Sequence, residues 1–528
     1  MIFRSRFPDA EIPDKTLQAY VFEHADNWPD LPALIDGPSG RALTYRQVRK
    51  LSESVAVGLT ARGFRKGDAL CIYSPNLPEY AAVFFGVAML GGLNTTANPM
   101  YTADELARQL RDSRAKFVVT IPMLAERARE AATPVGAEVI VFGDAPGCMA
   151  FTSLVATGGA PPAVDIDPQD VVALPYSSGT TGLPKGVMLT HRNLVANLAQ
   201  CAFIDSSVAG DHMIGVLPFF HIYGMAVVLC MMLRRGASVV TIPQFDLELY
   251  LRLSQQYRVK AAYLVPPIAL ALAKHPLVDK YDLSSLEMIT SGAAPMGPEL
   301  ERACASRLGC FVKQGYGMTE ASPVTHFTPN DPALIRSGSC GLLIPNTECR
   351  VVDLQTGKDL GAGQHGELLI RGPQIMAGYL NQPAATAEVL DSDGWLHSGD
   401  VGYADADGYF FIVDRLKEFI KYKGYQVAPA ELEAVLLTHP AVADVAVIPA
   451  ADAEAGEIPK AFVVARRDVG VEELIAFVAA VVAPFKKVRA IEFIERIPKS
   501  PSGKILRREL IARDRAKKHA VTGAPAAE

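Results

Sequence analysis

The chain has 528 residues, of which 49% are hydrophobic and 20% charged, and its formal net charge is −6. That length exceeds one compact core and implies two or three domains, and the composition is that of an ordinary soluble globular protein. A slightly acidic balance gives no reason to expect a polyanionic partner such as nucleic acid. The first half alternates short apolar runs with helical patterns, which argues for parallel βαβ units. Residues 68–73 read as a buried strand, residues 77–90 as a helix and residues 116–120 as a second strand. Further strands are expected at 171–175, 237–242, 261–265 and 287–290, with amphipathic helices at 247–257 and 298–307. From Gly338 to Val413 the pattern changes to short strands separated by Gly, Asp and Asn, which suggests a β-rich subdomain.

A boundary is expected at Asp414-Arg415-Leu416-Lys417, after an apolar strand at 409–413. Beyond it lie a helix opened by Pro429, strands near 442–448, 461–465 and 488–494, a helix at 471–482 and a final helix from Ile505. The reading is therefore an N-terminal unit over 1–414, a hinge at 415–417 and a small α+β unit over 418–528, long enough to fold independently. The basic stretch from Lys504 to Lys518 has no interleaved aromatic side chains, so it reads as a solvated helix.

The eight cysteines lack the close spacing of a zinc knuckle, and they read as small core residues in a reducing compartment. No apolar run follows Arg4, Arg6 and Asp9, so no signal peptide is expected. The longest apolar stretch, between Tyr223 and Arg234, is about half the ~20 residues of a spanning helix. Ala526-Ala527-Glu528 is not a peroxisomal address, and a cytoplasmic protein is expected.

The run Tyr176–Val187 follows an expected strand and precedes a helix expected near His191. Between Ser177 and Gly186 it packs four hydroxyls (Ser177, Ser178, Thr180, Thr181), three glycines (Gly179, Gly182, Gly186) and Lys185. Glycines let backbone N–H groups approach phosphate oxygens, hydroxyls donate to them and the lysine supplies charge. A Walker loop requires Gly-Lys-Ser/Thr at its end, whereas Lys185 stands between Pro184 and Gly186. The loop handles nucleotide phosphates by another scheme.

This run resembles the phosphate loop of the adenylate-forming superfamily of acyl-CoA ligases, carrier-domain adenylation enzymes and luciferases. The resemblance continues in order along nearly the whole chain. Residues 217–224 are similar to the aromatic motif beside the carboxylate, residues 314–320 to the nucleotide and magnesium motif, and residues 395–400 to the ribose motif. Residues 414–417 are similar to the interdomain hinge and residues 498–504 to the C-terminal lysine loop. Residues 95–99, 366–372 and 421–429 resemble 4-coumarate–CoA ligases in particular.

The resemblance implies an α/β fold: mixed parallel sheets sandwiched with helices, a β-rich subdomain and a small mobile α+β C-terminal domain. It implies ATP, Mg2+ and coenzyme A, with an acyl-AMP intermediate. Ser177, Ser178, Gly179, Thr180, Thr181 and Lys185 would hold the β- and γ-phosphates, Thr319 the α-phosphate, and Glu320 the magnesium ion. Lys504 would bridge carboxylate and α-phosphate, and Asp400 with Arg415 would take the ribose. Gln314, Gly315, Tyr316 and Gly317, with Gly292, Ala293 and Ala294, would line the adenine and acyl sites, and His221 would serve the carboxylate pocket. After rotation about Lys417, Lys421 and Gln426 would contact the adenylate, and Lys423 with Gly424 would meet coenzyme A.

Any one of these residues alone has a plainer reading: Glu320 as a paired carboxylate, Asp400 as a turn residue, His221 as a core histidine. Membership of ordered motifs reverses that. The acyl tunnel is expected at Tyr223, Val227, Thr290, Ala293, Gly315, Gly317, Pro323 and Val324. Plant 4-coumarate ligases carry a serine at the position of Val227, and Thr325 replaces an apolar residue. Aryl-propenoic acids are placed ahead of medium-chain fatty acids. A carrier-loading enzyme, a luciferase-like oxygenase and a silent nucleotide-binding protein are the other readings, the last disfavoured by Glu320 and Lys504. The oligomeric state stays open between monomer and homodimer.

Overall fold

The apolar run Ala69–Tyr73 forms a strand in which every residue is buried, as a parallel strand covered on both faces requires. It sits inside an eight-stranded sheet. The order is Gly378–Tyr379, Lys185–Thr190, Val171–Ser177, Leu93–Ala97, Ala69–Tyr73, Ala115–Thr120, Glu138–Val141 and Met149–Ala150. Pairing is parallel from Val171–Ser177 onward, while the first two strands join antiparallel. The computed structural model describes residues 1–177, 184–202, 206–423, 425–452, 454–501 and 503–522.

Local sequence starts the covering helices. Thr44 with Gln47, Thr102 with Glu105 and Thr190 with Asn193 form reciprocal capping boxes that open helices Tyr45–Ala61, Ala103–Ser113 and His191–Cys201. The expected helix over 77–90 spans Pro78–Met89, with Pro78 at its first turn. A four-stranded sheet runs His212–Gly215, Ser238–Thr241, Pro32–Asp36, Ala42–Thr44. A five-stranded sheet runs Ala261–Leu264, Met288–Ser291, Phe311–Gly317, Val324–Phe327, Leu342–Leu343, parallel in its first half and antiparallel in its second.

The Gly-rich region after 338 is rich in strands as expected, and Glu348–Val352, Gly366–Arg371, Leu396–Ala404 and Phe410–Arg415 pair antiparallel in succession. The N-terminal strand Ile2–Arg4 closes the other edge of this sheet. Three residues are too few to show an alternating pattern, so nothing in the sequence announced it. From Ile420 onward the chain builds a further sheet of Tyr425–Val427, Ile420–Tyr422, Gly456–Ala465 and Val442–Asp452, with Ala490–Phe493 parallel to Gly456–Ala465. This part has its own apolar clusters around Leu432, Val447 and Val463 and around Phe462 and Leu510.

Two details differ from expectation. The phosphate-loop run does not lead directly into the helix at His191, because residues 185–190 form a strand antiparallel to Val171–Ser177. Lys185 therefore stands at the start of a strand. The apolar strand expected at 409–413 runs on to Arg415, whose partner across the sheet is Asp400.

Candidate active site

Strand Phe311–Gly317 delivers the 314–317 run to the edge of the site, and a single 3-10 turn, Thr319–Ala321, follows it. Tyr316 donates its hydroxyl to Asp400 Oδ2 at 2.6 Å, and Arg415 Nε lies 3.3 Å from Asp400 Oδ1. Asp400 is buried. Burial raises its carboxyl above the ordinary range, against the opposing pull of Arg415, the Tyr316 hydroxyl and Lys504. The three residues form a polar group in which Asp400 is held from both sides.

Glu320 is buried as well. Its Oε1 accepts from Ser177 Oγ at 3.0 Å and from the Tyr379 hydroxyl at 2.9 Å. Lys185 Nζ lies 4.8 Å from the centre of the Tyr379 ring. Ser177 and Lys185 thus meet Glu320, 143 residues beyond Ser177, around Tyr379. Thr319, half-buried, precedes Glu320 in the same turn. Ser178, Gly179, Thr180 and Thr181 lie outside the described residues.

Lys504 reaches this group from the C-terminal part. Its loop is closed by the Gly503 N–H donating to Ser500 O at 2.8 Å and the Lys504 N–H donating to Ser500 Oγ at 3.1 Å. Gly503 has φ +79°, and a Cβ there would lie 3.1 Å from Val265 Cγ2 and 3.4 Å from Pro267 Cδ. Both the backbone conformation and the close approach call for glycine. The Lys504 ammonium is lowered to about 8 by burial and then by Arg415, while Glu320, Asp400 and Glu418 pull it back up. His221 is lowered to about 3 by burial and then by the Lys504 charge. Its Nδ1 accepts the Tyr223 N–H at 3.3 Å, which leaves the proton of the neutral ring on Nε2.

Residues 223–230 wind as a π-helix, a form that recurs at functional sites. The wide turn sets Tyr223 and Val227 on one face. The Tyr223 hydroxyl donates to Thr290 O at 3.3 Å, and its ring would lie 3.0 Å from a Cβ at Gly292. Ala293 has φ +69°, a left-handed backbone for a residue with a side chain. A Cβ on Gly317 would stand 2.1 Å from Pro323 O, and one on Gly315 would meet the Phe327 ring at 3.1 Å. Pro323 and Val324 follow, with Val324 buried. Tyr223 thus packs beside Thr290 and Gly292, and Gly317 lies against Pro323.

One side chain departs from its expected place. The Gln314 amide is taken up within the protein: its Nε2 donates to Met296 O at 2.9 Å and Glu301 Oε2 at 3.2 Å, and its Oε1 accepts from Met296 N at 3.0 Å. Only its backbone is left to line the site. The Thr325 hydroxyl bonds Tyr316 O at 3.2 Å and His326 Nδ1 at 2.9 Å, so it is held by the sheet.

The residues expected to meet the adenylate and coenzyme A stand apart. Lys421 and Gln426 are cross-strand partners on the exposed hairpin Ile420–Tyr422 and Tyr425–Val427. The Lys421 N–H donates to Glu457 Oε2 at 2.7 Å, and Lys423, at φ +45°, pairs with Glu454. Lys417 is exposed, and Gly424 lies outside the described residues. The hairpin and Lys504 are thus presented differently, with Lys504 in the site and the hairpin in solvent. Sequence reasoning missed Tyr379 and Glu418, since a lone tyrosine after glycine and a glutamate after a lysine carry no motif of their own.

Residues 21–380 match the family model for AMP-binding enzymes, and residues 431–504 match the model for their C-terminal domain. The chain belongs to the AMP-binding enzyme family. This AMP-binding enzyme is 47% identical to a 4-coumarate–CoA ligase of Petroselinum crispum over 97% of each chain. It is 46% identical to one of Pinus taeda over 98% of each. Among solved structures it is similar to ATP-bound MatB from Rhodopseudomonas palustris, with TM-score 0.87 and 28% identity over 94% of this chain and 98% of that one. It is likewise similar to an anthranilate CoA ligase in complex with anthranoyl-AMP, with TM-score 0.87 and 27% identity over 98% and 99%. No helix among the described residues is long and apolar enough to cross a membrane.

Proposed function

We propose that this AMP-binding enzyme is an ATP-dependent carboxylate–CoA ligase acting on aryl-propenoic acids such as 4-coumarate and cinnamate. The acid class rests on near-full-length identity of 46–47% to ligases named for 4-coumarate. The observation that carries the reaction is Lys504, whose charge is coupled at one place to Glu320, Asp400, Arg415 and His221.

A carboxylate is a poor acyl donor because oxide would have to leave. Attack of its oxygen on the α-phosphorus of ATP forms acyl-AMP and releases pyrophosphate; a thiol then displaces AMP. Two anions must meet in the first step, so positioning and electrostatics carry it. Lys504 spans the carboxylate and the α-phosphate, which a mobile point charge suits. Ser177 and Lys185 take the outer phosphates, with Thr319 on the α-phosphate. Asp400, fixed by Tyr316 and Arg415, receives the ribose hydroxyls. His221, neutral with its proton on Nε2, offers a hydrogen bond beside the carboxylate without adding charge. The acid's ring lies along Tyr223, Val227, Gly315 and Gly317.

Among the described residues no three His, Cys, Asp or Glu side chains cluster as a metal site. Glu320 is the single carboxylate that would hold Mg2+, an ion bound by one or two carboxylates plus substrate phosphates. When bound, the ion neutralises charge on the phosphates.

For the second half-reaction, the unit from 418 onward turns about 415–417, withdrawing Lys504 and bringing in Lys421, Gln426, Lys423 and Gly424. The coupling of Lys504 to Glu320 and Asp400 supports reading this arrangement as the adenylating one. Isotope exchange between pyrophosphate and ATP, dependent on 4-coumarate or cinnamate and independent of coenzyme A, is the expected signature. Absence of exchange with every carboxylate tried, alongside intact ATP binding, would sink the proposal.

A further inference from the structure

Tyr379 belongs to none of the motifs, yet it touches both Lys185, assigned to the outer phosphates, and Glu320, assigned to the magnesium ion. Residues 376–380 form a strap between them. The Leu380 N–H donates to Gly186 O at 2.8 Å and the Ala377 N–H to Met188 O at 3.0 Å, tying the strap to the strand that begins with Lys185. The Met376 N–H donates to Glu320 O at 2.9 Å, tying it to the turn that carries the carboxylate. The backbone of Tyr379 is fixed again by its N–H donating to Thr386 Oγ1 at 2.9 Å. The side chain repeats the bridge at atomic scale. Its hydroxyl donates to Glu320 Oε1 at 2.9 Å, and Lys185 Nζ sits 4.8 Å from the centre of its ring.

Glu320 Oε1 also accepts from Ser177, and among the described residues no hydrogen bond reaches Oε2. Two hydroxyls on one oxygen set the carboxylate plane and leave the other oxygen for a cation. On the cation side, an ammonium over an aromatic face gains an attraction that falls when the ring is lost.

We propose that Tyr379 is a positioning residue for nucleotide activation. Its hydroxyl orients Glu320 toward the Mg2+ of MgATP, and its ring steadies Lys185 against the phosphates. This rests on the reading of Glu320 as the metal-bearing carboxylate. The two functions are separable, because phenylalanine keeps the ring and leucine keeps neither ring nor hydroxyl.

The test is calorimetric titration of ATP into the full chain, with saturating Mg2+ and with EDTA, for wild type, Tyr379→Phe, Tyr379→Leu and Glu320→Gln. Tyr379→Phe is expected to weaken MgATP binding about tenfold, as loss of a hydrogen bond to a charged group would, with ATP binding in EDTA unchanged. Tyr379→Leu should weaken binding in EDTA as well, because Lys185 loses its ring. Equal weakening by Tyr379→Phe in both conditions indicates a general structural role and overturns the proposal. Wild-type binding by Tyr379→Phe, with Glu320→Gln impaired only in Mg2+, overturns it while sparing the reading of Glu320. Wild-type Mg2+ dependence in Glu320→Gln overturns both.

Discussion

Titrating Lys504 with pH removes its charge without altering a single atom of packing. Burial and the Arg415 guanidinium lower this ammonium from the ordinary lysine range to about 8, against the pull of Glu320, Asp400 and Glu418. The working form in adenylation is the ammonium, which is present below that value and lost above it. An acid of that strength is about 90% protonated at pH 7 and about 10% at pH 9. The kcat/KM for adenylation, which reports the free enzyme, should therefore fall roughly tenfold between those values. The assay is ATP–pyrophosphate exchange at subsaturating acid, run from pH 6 to 10. Thiolation of a supplied acyl-AMP does not use Lys504 and should lack this falling limb. In Lys504→Arg, whatever exchange survives should show no such limb, because a guanidinium stays charged throughout. A profile flat from pH 7 to 9 in the wild type refutes the reasoning, as does an identical falling limb in the thiolation half-reaction.

Lys504→Ala should reduce adenylation by at least about a hundredfold while leaving thiolation of a supplied acyl-AMP near wild type; equal loss of both half-reactions contradicts the assigned role. Gly503→Ala adds a Cβ 3.1 Å from Val265 Cγ2 at a residue with φ +79°, a strain of about 1–2 kcal/mol before the contact is counted. It should slow adenylation more than thiolation, and matched losses in the two half-reactions would count against Lys504 being seated through this contact. Val227→Ser adds a hydroxyl to the proposed acyl pocket. Pairing a buried phenolic group is worth about 1–3 kcal/mol, so the kcat/KM ratio of 4-coumarate to cinnamate should rise about tenfold; an unchanged ratio removes Val227 from the ring's environment.

What the sequence made legible follows from where the physics is local. Fully apolar runs such as Ala69–Tyr73 have one compact solution, a buried strand, whereas the helix starts at Thr44 and Thr102 went unread although each threonine has its reciprocal partner three residues on. The motif residues Tyr316, Glu320, Asp400 and Lys504 were readable because their order along the chain is informative even though each alone is not. Contacts made across long separations were not readable. Gln314 looked like a nucleotide residue, but its amide is taken by Met296, a pairing set by the crossing of two segments. The strand Lys185–Thr190 was hidden because Lys185 and Gly186 read as loop, although antiparallel pairing with Val171–Ser177 makes them strand. Tyr379 acquires meaning only once Gly378–Tyr379 is seen to join the edge of the large sheet. The placement of Lys504 in the site, with the Lys421 hairpin outside it, depends on how the C-terminal part is set against the rest, and no sequence pattern encodes that.

The central claim is that the chain joins an aryl-propenoic acid to coenzyme A through acyl-AMP. Coenzyme A-dependent AMP formation, measured across cinnamate, 4-coumarate and fatty acids of increasing length, tests it most directly. The account predicts the highest kcat/KM for 4-coumarate or cinnamate. A clear preference for octanoate or a neighbouring fatty acid would contradict it and make the chain a fatty acyl-CoA ligase using the same adenylating groups.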